Sequence, residues 1–265
     1  MISVIICSKQ ISVSEKFSSN VQNTIGATYE LISIDNSKNQ YGICQAYNIG
    51  VSKSKYPYLC FVHEDVLFET NNWGKELIDV MKTDDSIGLI GVAGSKAKPK
   101  YARNNYDNLN LNRGHLKQGL NSWTEYYDLR FAPAKKDIED VVWIDGVFMF
   151  VRRSVFENCS FDENILKGFH GYDIDLSLQA FSKNWRIIVY ENLNLYHYSR
   201  GNYSPDFFEA SQLISKKWKR ILPAITKDSG ITKWKLFCSE AKLILKYDQH
   251  FIIKALRKVM PFIDK

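Results

Sequence analysis

The sequence has no C-x-x-C pair. Its five cysteines, Cys7, Cys44, Cys60, Cys159 and Cys238, are scattered and odd in number. With no secretory signal peptide visible, this argues against a disulfide framework and makes the reducing cytoplasm the expected home. No apolar run approaches the roughly 18 to 20 residues that a membrane span needs. No G-x-G-x-x-G follows the first apolar run, which disfavours an ordinary dinucleotide-binding dehydrogenase. There is no internal repeat and no low-complexity tract. A basic excess is also missing from most of the chain. Net charge is +6, but residues 204–265 carry thirteen Lys/Arg against six Asp/Glu, so residues 1–203 are near neutral. This argues against a globally basic nucleic-acid binder and favours a local anionic partner for the tail.

What is present is an aromatic-rich chain, with fifteen Tyr, fifteen Phe and six Trp among 265 residues. The length suits one large domain, or one domain plus an appendage. Residues 2–7 form an apolar run that reads as the first, central strand. Residues 13–25 carry a capping-like Ser14 and a spaced apolar set of Phe17, Val21 and Ile25, a helix pattern. Residues 29–35 (YELISID) read as a strand ending in Asp35, residues 42–52 as a helix, 57–62 as a strand, about 73–81 as a helix, and 87–93 as a strand. The alternation predicts an α/β fold, a parallel sheet with helices on both faces. Residues 95–140 break this rhythm and read as a long irregular segment. Strand-like residues 141–153 are interrupted at Asp145-Gly146, a turn or bulge signal. Residues 171–181 read as a helix with Asp173 in its first turn, and 185–190 and 193–197 as two more strands.

Residues 56–68 (YPYLCFVHEDVLF) organise the rest. The run 59–62 suits a strand buried on both faces, and Cys60, like Cys7, reads as a small core residue. His63, Glu64 and Asp65 follow at the strand's carboxyl end, where ligands bind in open α/β sheets. Alternation points His63 and Asp65 one way and Glu64 the other. A carboxylate there can hold a hard cation, and the cation a diphosphate. The plain alternative is a surface turn that happens to be acidic.

The ordered set SVIIC (3–7), Asp35, AYNIG (46–50), the 63–65 trio, WIDGVFMFVRR (143–153), FDENILKGFHGYDIDLSLQAF (161–181) and His197 resembles GT-A glycosyltransferases of the large inverting family 2. Within it the chain looks most like the branch typified by a streptomycin-biosynthesis protein. The resemblance covers about residues 1–203 and implies a GT-A fold, with a Rossmann-like, mostly parallel central sheet flanked by helices. It also implies a nucleoside-diphosphate sugar as donor, a saccharide or lipid-linked saccharide as acceptor, and a divalent cation, Mn or Mg. Asp65 matches the last acid of the family's D-x-D motif, and His197 matches a histidine that reaches the metal or diphosphate. Imidazole suits Mn better than Mg. His63 stands at the motif's first position, a departure, with Glu64 between. Cys7, Ser8 and Asp35 fall with the base and ribose, and Asp145-Gly146 matches an acceptor-side turn. Asp173 matches the catalytic acid, with Tyr172 replacing the Glu before it. Asp175 is the second candidate.

Residues 204–265 lie outside the resemblance and read as two or three basic amphipathic helices divided at Pro223 and Gly230. They fit a helical cap with a solvated charged face, or an anchor on anionic lipid that would make the protein peripheral to the inner face of the membrane. The implied activity is sugar transfer in bacterial surface-polysaccharide synthesis, with a homo-oligomer left open. One alternative is a nucleotidyltransferase acting on sugar phosphates, although its usual Gly-rich loop is not seen in CSKQISVSEK (7–16). The other is a non-catalytic carbohydrate-binding relative.

Overall fold

The computed structural model describes residues 1–100, 110–120, 122–132, 136–199, 204–236 and 238. The first part alternates as the pattern predicts. β1 (Ile2–Ser8), α1 (Glu15–Thr24), β2 (Tyr29–Asp35), α2 (Ile43–Lys53), β3 (Tyr58–Val62), β4 (Val66–Phe68), α3 (Trp73–Thr83) and β5 (Ile87–Gly91) follow in order. Ser14 caps α1 by accepting from the Phe17 amide at 3.2 Å, which satisfies one of the helix's orphan donors. The strands β6 (Ala93–Ser95), β7 (Ala97–Lys98), β8 (Asn112–Gly119), β9 (Tyr126–Arg130), β10 (Ile138–Val141), β11 (Trp143–Ile144) and β12 (Phe148–Arg152) come next. Then come α4 (Tyr172–Ser182), β13 (Arg186–Tyr190), β14 (Leu195–His197), α5 (Pro205–Lys217) and β15 (Ala224–Ile225).

The main sheet has seven strands in the order β10-β13-β5-β12-β3-β1-β2. Five run in one direction, and β10 and β12 run against them. Strict alternation along β1 explains how the sheet supports two cores. Ile5 joins α2, α4 and α5 on one face, while Ile2, Val4 and Ile6 join α1 and α3 on the other. Both faces of the sheet are therefore covered, as its near-continuous apolar strands require.

A second sheet, β11-β6-β8-β14-β4 with β9 on β8, corrects the irregular reading of residues 95–140. Much of that segment is strand. β8 reads NRGHLKQG and is poor in branched residues, so intrinsic propensity gives no signal. Its strand state comes from pairing with β6, β9 and β14, and from burial of alternate residues Asn112, Gly114, Leu116 and Gln118. The start of the tail is packed. Ala210 and Ile214 of α5 enter the core, and β15 pairs with β7. Residues 239–265, including the apolar groups at 243–245 and 251–256, lie outside the described residues. Among the described residues no helix is long and apolar enough to cross a membrane.

Candidate active site

β3 ends at Val62, and residues 63–65 turn the chain into β4 of the second sheet. β14 pairs antiparallel with β4, with His197 opposite Val66. The Tyr198 amide donates to the Asp65 carbonyl at 2.9 Å, closing that pairing beside the trio. Two sheets thus meet at one corner and bring residues 134 positions apart into contact.

His63, Asp65 and His197 each offer one ligand atom, and these atoms lie within 4.8 Å of one another. His63 Nδ1 is 3.3 Å from His197 Nε2, and His197 Nε2 is 3.4 Å from Asp65 Oδ1. The other nitrogen of each ring is held from behind. His63 Nε2 is 3.0 Å from the Tyr172 hydroxyl, and His197 Nδ1 is 3.1 Å from Gln118 Nε2 and 3.3 Å from its Oε1. Burial would raise the Asp65 carboxyl. Its hydrogen bonds to His197 and Ser199, with the His197 charge, outweigh burial and hold it well below the usual carboxylate range. Burial, reinforced by His197, lowers the His63 imidazole to about 4, so it is neutral near pH 7. Two imidazole nitrogens and one ionised carboxylate converging from different elements form a donor set that fits a divalent transition-metal ion.

Beyond Tyr172, the first turn of α4 faces the Asp145-Gly146 turn. Asp173 Oδ2 accepts from the Gly146 amide at 3.0 Å, and Asp173 Oδ1 accepts from the Ile174 amide at 2.8 Å. Burial, then the nearby Asp145 charge, raises the Asp173 carboxyl to about 7. Asp145 Oδ1 accepts from the Val147 amide at 2.8 Å and so shapes the turn. Gly146 is required there by close approach, since a Cβ would lie 2.2 Å from the Tyr172 hydroxyl. Asp175 is placed apart. Two residues along a helix face nearly opposite ways, and Asp175 accepts from Lys217 and Gln179 at 2.8 Å and from the Trp218 indole at 2.7 Å.

The strand ends beside the trio hold the remaining predicted residues. Glu64 turns away from the imidazoles, as alternation predicts, and accepts from Ser8 Oγ and from the Lys9 amide. Ser8 and Asp35 are register partners at the ends of β1 and β2. Asp35 is exposed and accepts from the Ser37 amide at 2.9 Å, a bond that lowers its pKa. Cys7 is half-buried, and burial raises its thiol. Sequence reasoning missed Gln118, Ser199 and an aromatic cluster on the β8–β9 hairpin. Trp123 lies 4.8 Å from Tyr198 and 5.5 Å from Tyr196, and Tyr126 meets Tyr196 edge-on at 5.5 Å. The signal available was only the aromatic spacing in 123–127.

A mixed sheet with this cluster at the carboxyl ends of its parallel strands defines a fold of the GT-A type. The model described as "Glycosyltransferase like family" matches residues 2–211, and the chain belongs to that family. The chain is similar in fold to a crystal structure of GalNAc-T7 with UDP, GalNAc and Mn2+, with a TM-score of 0.55 and 13% identity. The match covers 92% of this chain and 57% of that one, so this chain spans little more than half of that protein's length. A crystal structure of A197 from STIV aligns at a TM-score of 0.42 and 16% identity over 75% of this chain and 86% of its own. No curated protein matches the chain.

Proposed function

We propose that the chain transfers a sugar from a nucleoside-diphosphate donor to a saccharide or lipid-linked saccharide, inverting the anomeric carbon with the help of a divalent cation. The observation that carries this reading is the convergence of His63, Asp65 and His197 at the corner where the two sheets meet, with Asp173 one residue beyond Tyr172. The UDP and Mn2+ of the similar crystal structure support it. When bound, the cation supplies Lewis-acid stabilisation of the leaving diphosphate. His63, Asp65 and His197 would hold it, the imidazole share favouring Mn. Cys7, Ser8 and Asp35 flank the base and ribose, and Glu64 braces Ser8. Asp173 takes the proton of the acceptor hydroxyl, and Asp145-Gly146 sets its position. Asp175, saturated by Lys217, Trp218 and Gln179, serves as an anchor for α5 and not as the base.

The aromatic cluster of Trp123, Tyr126 and Tyr198 supports a saccharide acceptor, because sugar rings present apolar C–H faces that stack on such surfaces. The branch typified by a streptomycin-biosynthesis protein and a role in surface polysaccharide rest on the ordered motifs at 143–153 and 161–181. Residues 1–203 then form the catalytic domain, extended by the packed start of the tail.

The test is thermal unfolding with nucleoside diphosphates, with and without Mn. A ligand at one hundred times its Kd stabilises by about 2.7 kcal/mol. A joint shift is expected in the unsubstituted protein, and its loss in Asp65→Ala with the fold retained. Undiminished Mn-dependent binding in Asp65→Ala would place the site elsewhere. Donor binding with no transfer or donor hydrolysis would favour a non-catalytic relative.

A further inference from the structure

Two residues depart from the family pattern that the sequence resembles. His63 stands where the first acid of D-x-D is expected, and Tyr172 where a Glu precedes the catalytic Asp. They are 109 residues apart in sequence, yet His63 Nε2 and the Tyr172 hydroxyl are 3.0 Å apart. We infer that Tyr172 is a positioning residue that holds His63 in its Nε2–H tautomer and so aims the Nδ1 lone pair at a divalent cation shared with Asp65 and His197. This rests on the cation reading of the site.

Proton accounting fixes the direction of the bond. A phenol has one proton to give. The Gly146 carbonyl, 3.0 Å from the Tyr172 hydroxyl, can only accept, and it takes that proton. A phenol's ordinary pKa of about 10 keeps that proton on the hydroxyl at neutral pH. The hydroxyl therefore accepts from His63, and Nε2 must be the protonated nitrogen. In a neutral imidazole the lone pair then lies on Nδ1, the atom that faces His197 Nε2 at 3.3 Å. The outer partner of a ligating imidazole commonly sets its tautomer and ring orientation in this way.

The hydroxyl itself is held in place. The Tyr172 ring is buried and packs edge-on against Tyr47 at 5.6 Å. The bare Gly146 leaves room for the hydroxyl, because a Cβ there would lie 2.2 Å from it. A Glu at this position would add a third carboxylate near Asp145 and Asp173, and the like charges would repel. A neutral phenol avoids that repulsion and still serves His63. The two departures are complementary, so each has a physical reason in the other.

The test is Mn(II) binding to the full chain, read from the electron paramagnetic resonance signal of free Mn, in four proteins: unsubstituted, Tyr172→Phe, His63→Ala and the double variant. Phe keeps the ring and removes only the hydroxyl. Tyr172→Phe is expected to weaken Mn binding by about 10- to 100-fold, the usual effect of losing an outer partner. In the His63→Ala background the same substitution should have almost no effect, because its route to the metal is gone. Equal Mn affinity in Tyr172→Phe and the unsubstituted protein would overturn the proposal. So would an equal loss in both backgrounds, which would mark a general structural role. The metal-free, unsubstituted protein gives an independent reading through its ¹⁵N imidazole shifts. An Nε2–H His63 is expected, and an Nδ1–H form would overturn the proposal whether or not the variants fold. Failure of the unsubstituted protein to bind Mn would instead overturn the cation reading on which the proposal rests.

Discussion

A carboxyl group buried beside another carboxylate resists ionisation. Asp173 is in that position, and its pKa rises from 3.8 to about 7 because of burial first and Asp145 second. A base must be ionised to accept a proton, so turnover should rise with pH through about 7. Asp145→Asn removes the neighbouring charge but keeps an acceptor for the Val147 amide. It should move that rise to lower pH. Stability should run the other way. A group whose pKa is raised by folding contributes stability that is present below its unfolded value and lost as pH rises through the folded value. The Asp173 contribution therefore fades between about pH 4 and 7. Asp173→Asn should lower turnover by about 10²- to 10⁴-fold, the usual worth of a positioned base, while donor affinity changes little. Donor hydrolysis and nucleotide thermal shifts, each measured across pH, check both halves. Turnover that stays high in Asp173→Asn would remove it as the base.

At the scale of elements, α4 serves two different surfaces. Its first turn gives Tyr172 and Asp173 to the site, and its opposite side gives Asp175 to α5. Asp175→Asn should cost about 2 to 3 kcal/mol of stability, below the ~3–5 kcal/mol typical of a stranded buried charge, because Lys217 keeps Asp162 at 2.7 Å. Urea unfolding would measure the loss, and cation-dependent nucleotide binding should be unchanged. A collapse of turnover without loss of stability would make Asp175 the base after all. The same helix shows what the sequence made legible. Its periodicity predicted residues 171–181 and α4 spans Tyr172–Ser182, but periodicity cannot say what each face meets. The strands and helices of the first hundred residues were readable because buried parallel strands are continuous apolar runs. β8 was not readable, because three partner strands override its weak propensity. The HED trio was visible as a cluster. The meeting of His63 with Tyr172 and of His197 with Gln118 depends on contacts across the fold that no local pattern encodes.

For the whole molecule, the tail divides by composition and by the contacts of its described part. Residues 205–228 are bound in: Ile214 is buried, β15 pairs with β7, and Asp228 reaches the buried Lys96 at 2.5 Å. Removing residues 204–265 should therefore uncover apolar surface on the α4 side, leave Asp175 and Lys96 short of partners, and cause aggregation. Residues 239–265 carry six Lys/Arg and three Asp/Glu among apolar groups, the composition of an interfacial anchor. Removing only these residues should leave the melting temperature close to that of the full chain and abolish binding to vesicles rich in phosphatidylglycerol. Each basic residue near an anionic surface is worth about 1 kcal/mol, and this attraction is screened within a Debye length. Vesicle binding by the full chain should thus weaken steeply as salt rises from about 0.01 to 0.15 M, where the Debye length shrinks from ~30 to ~8 Å. Sedimentation with vesicles across that salt range separates the two roles. A full chain that stays in the supernatant at low salt would rule out the anchor, leaving the tail as a cap whose packed segment begins at α5.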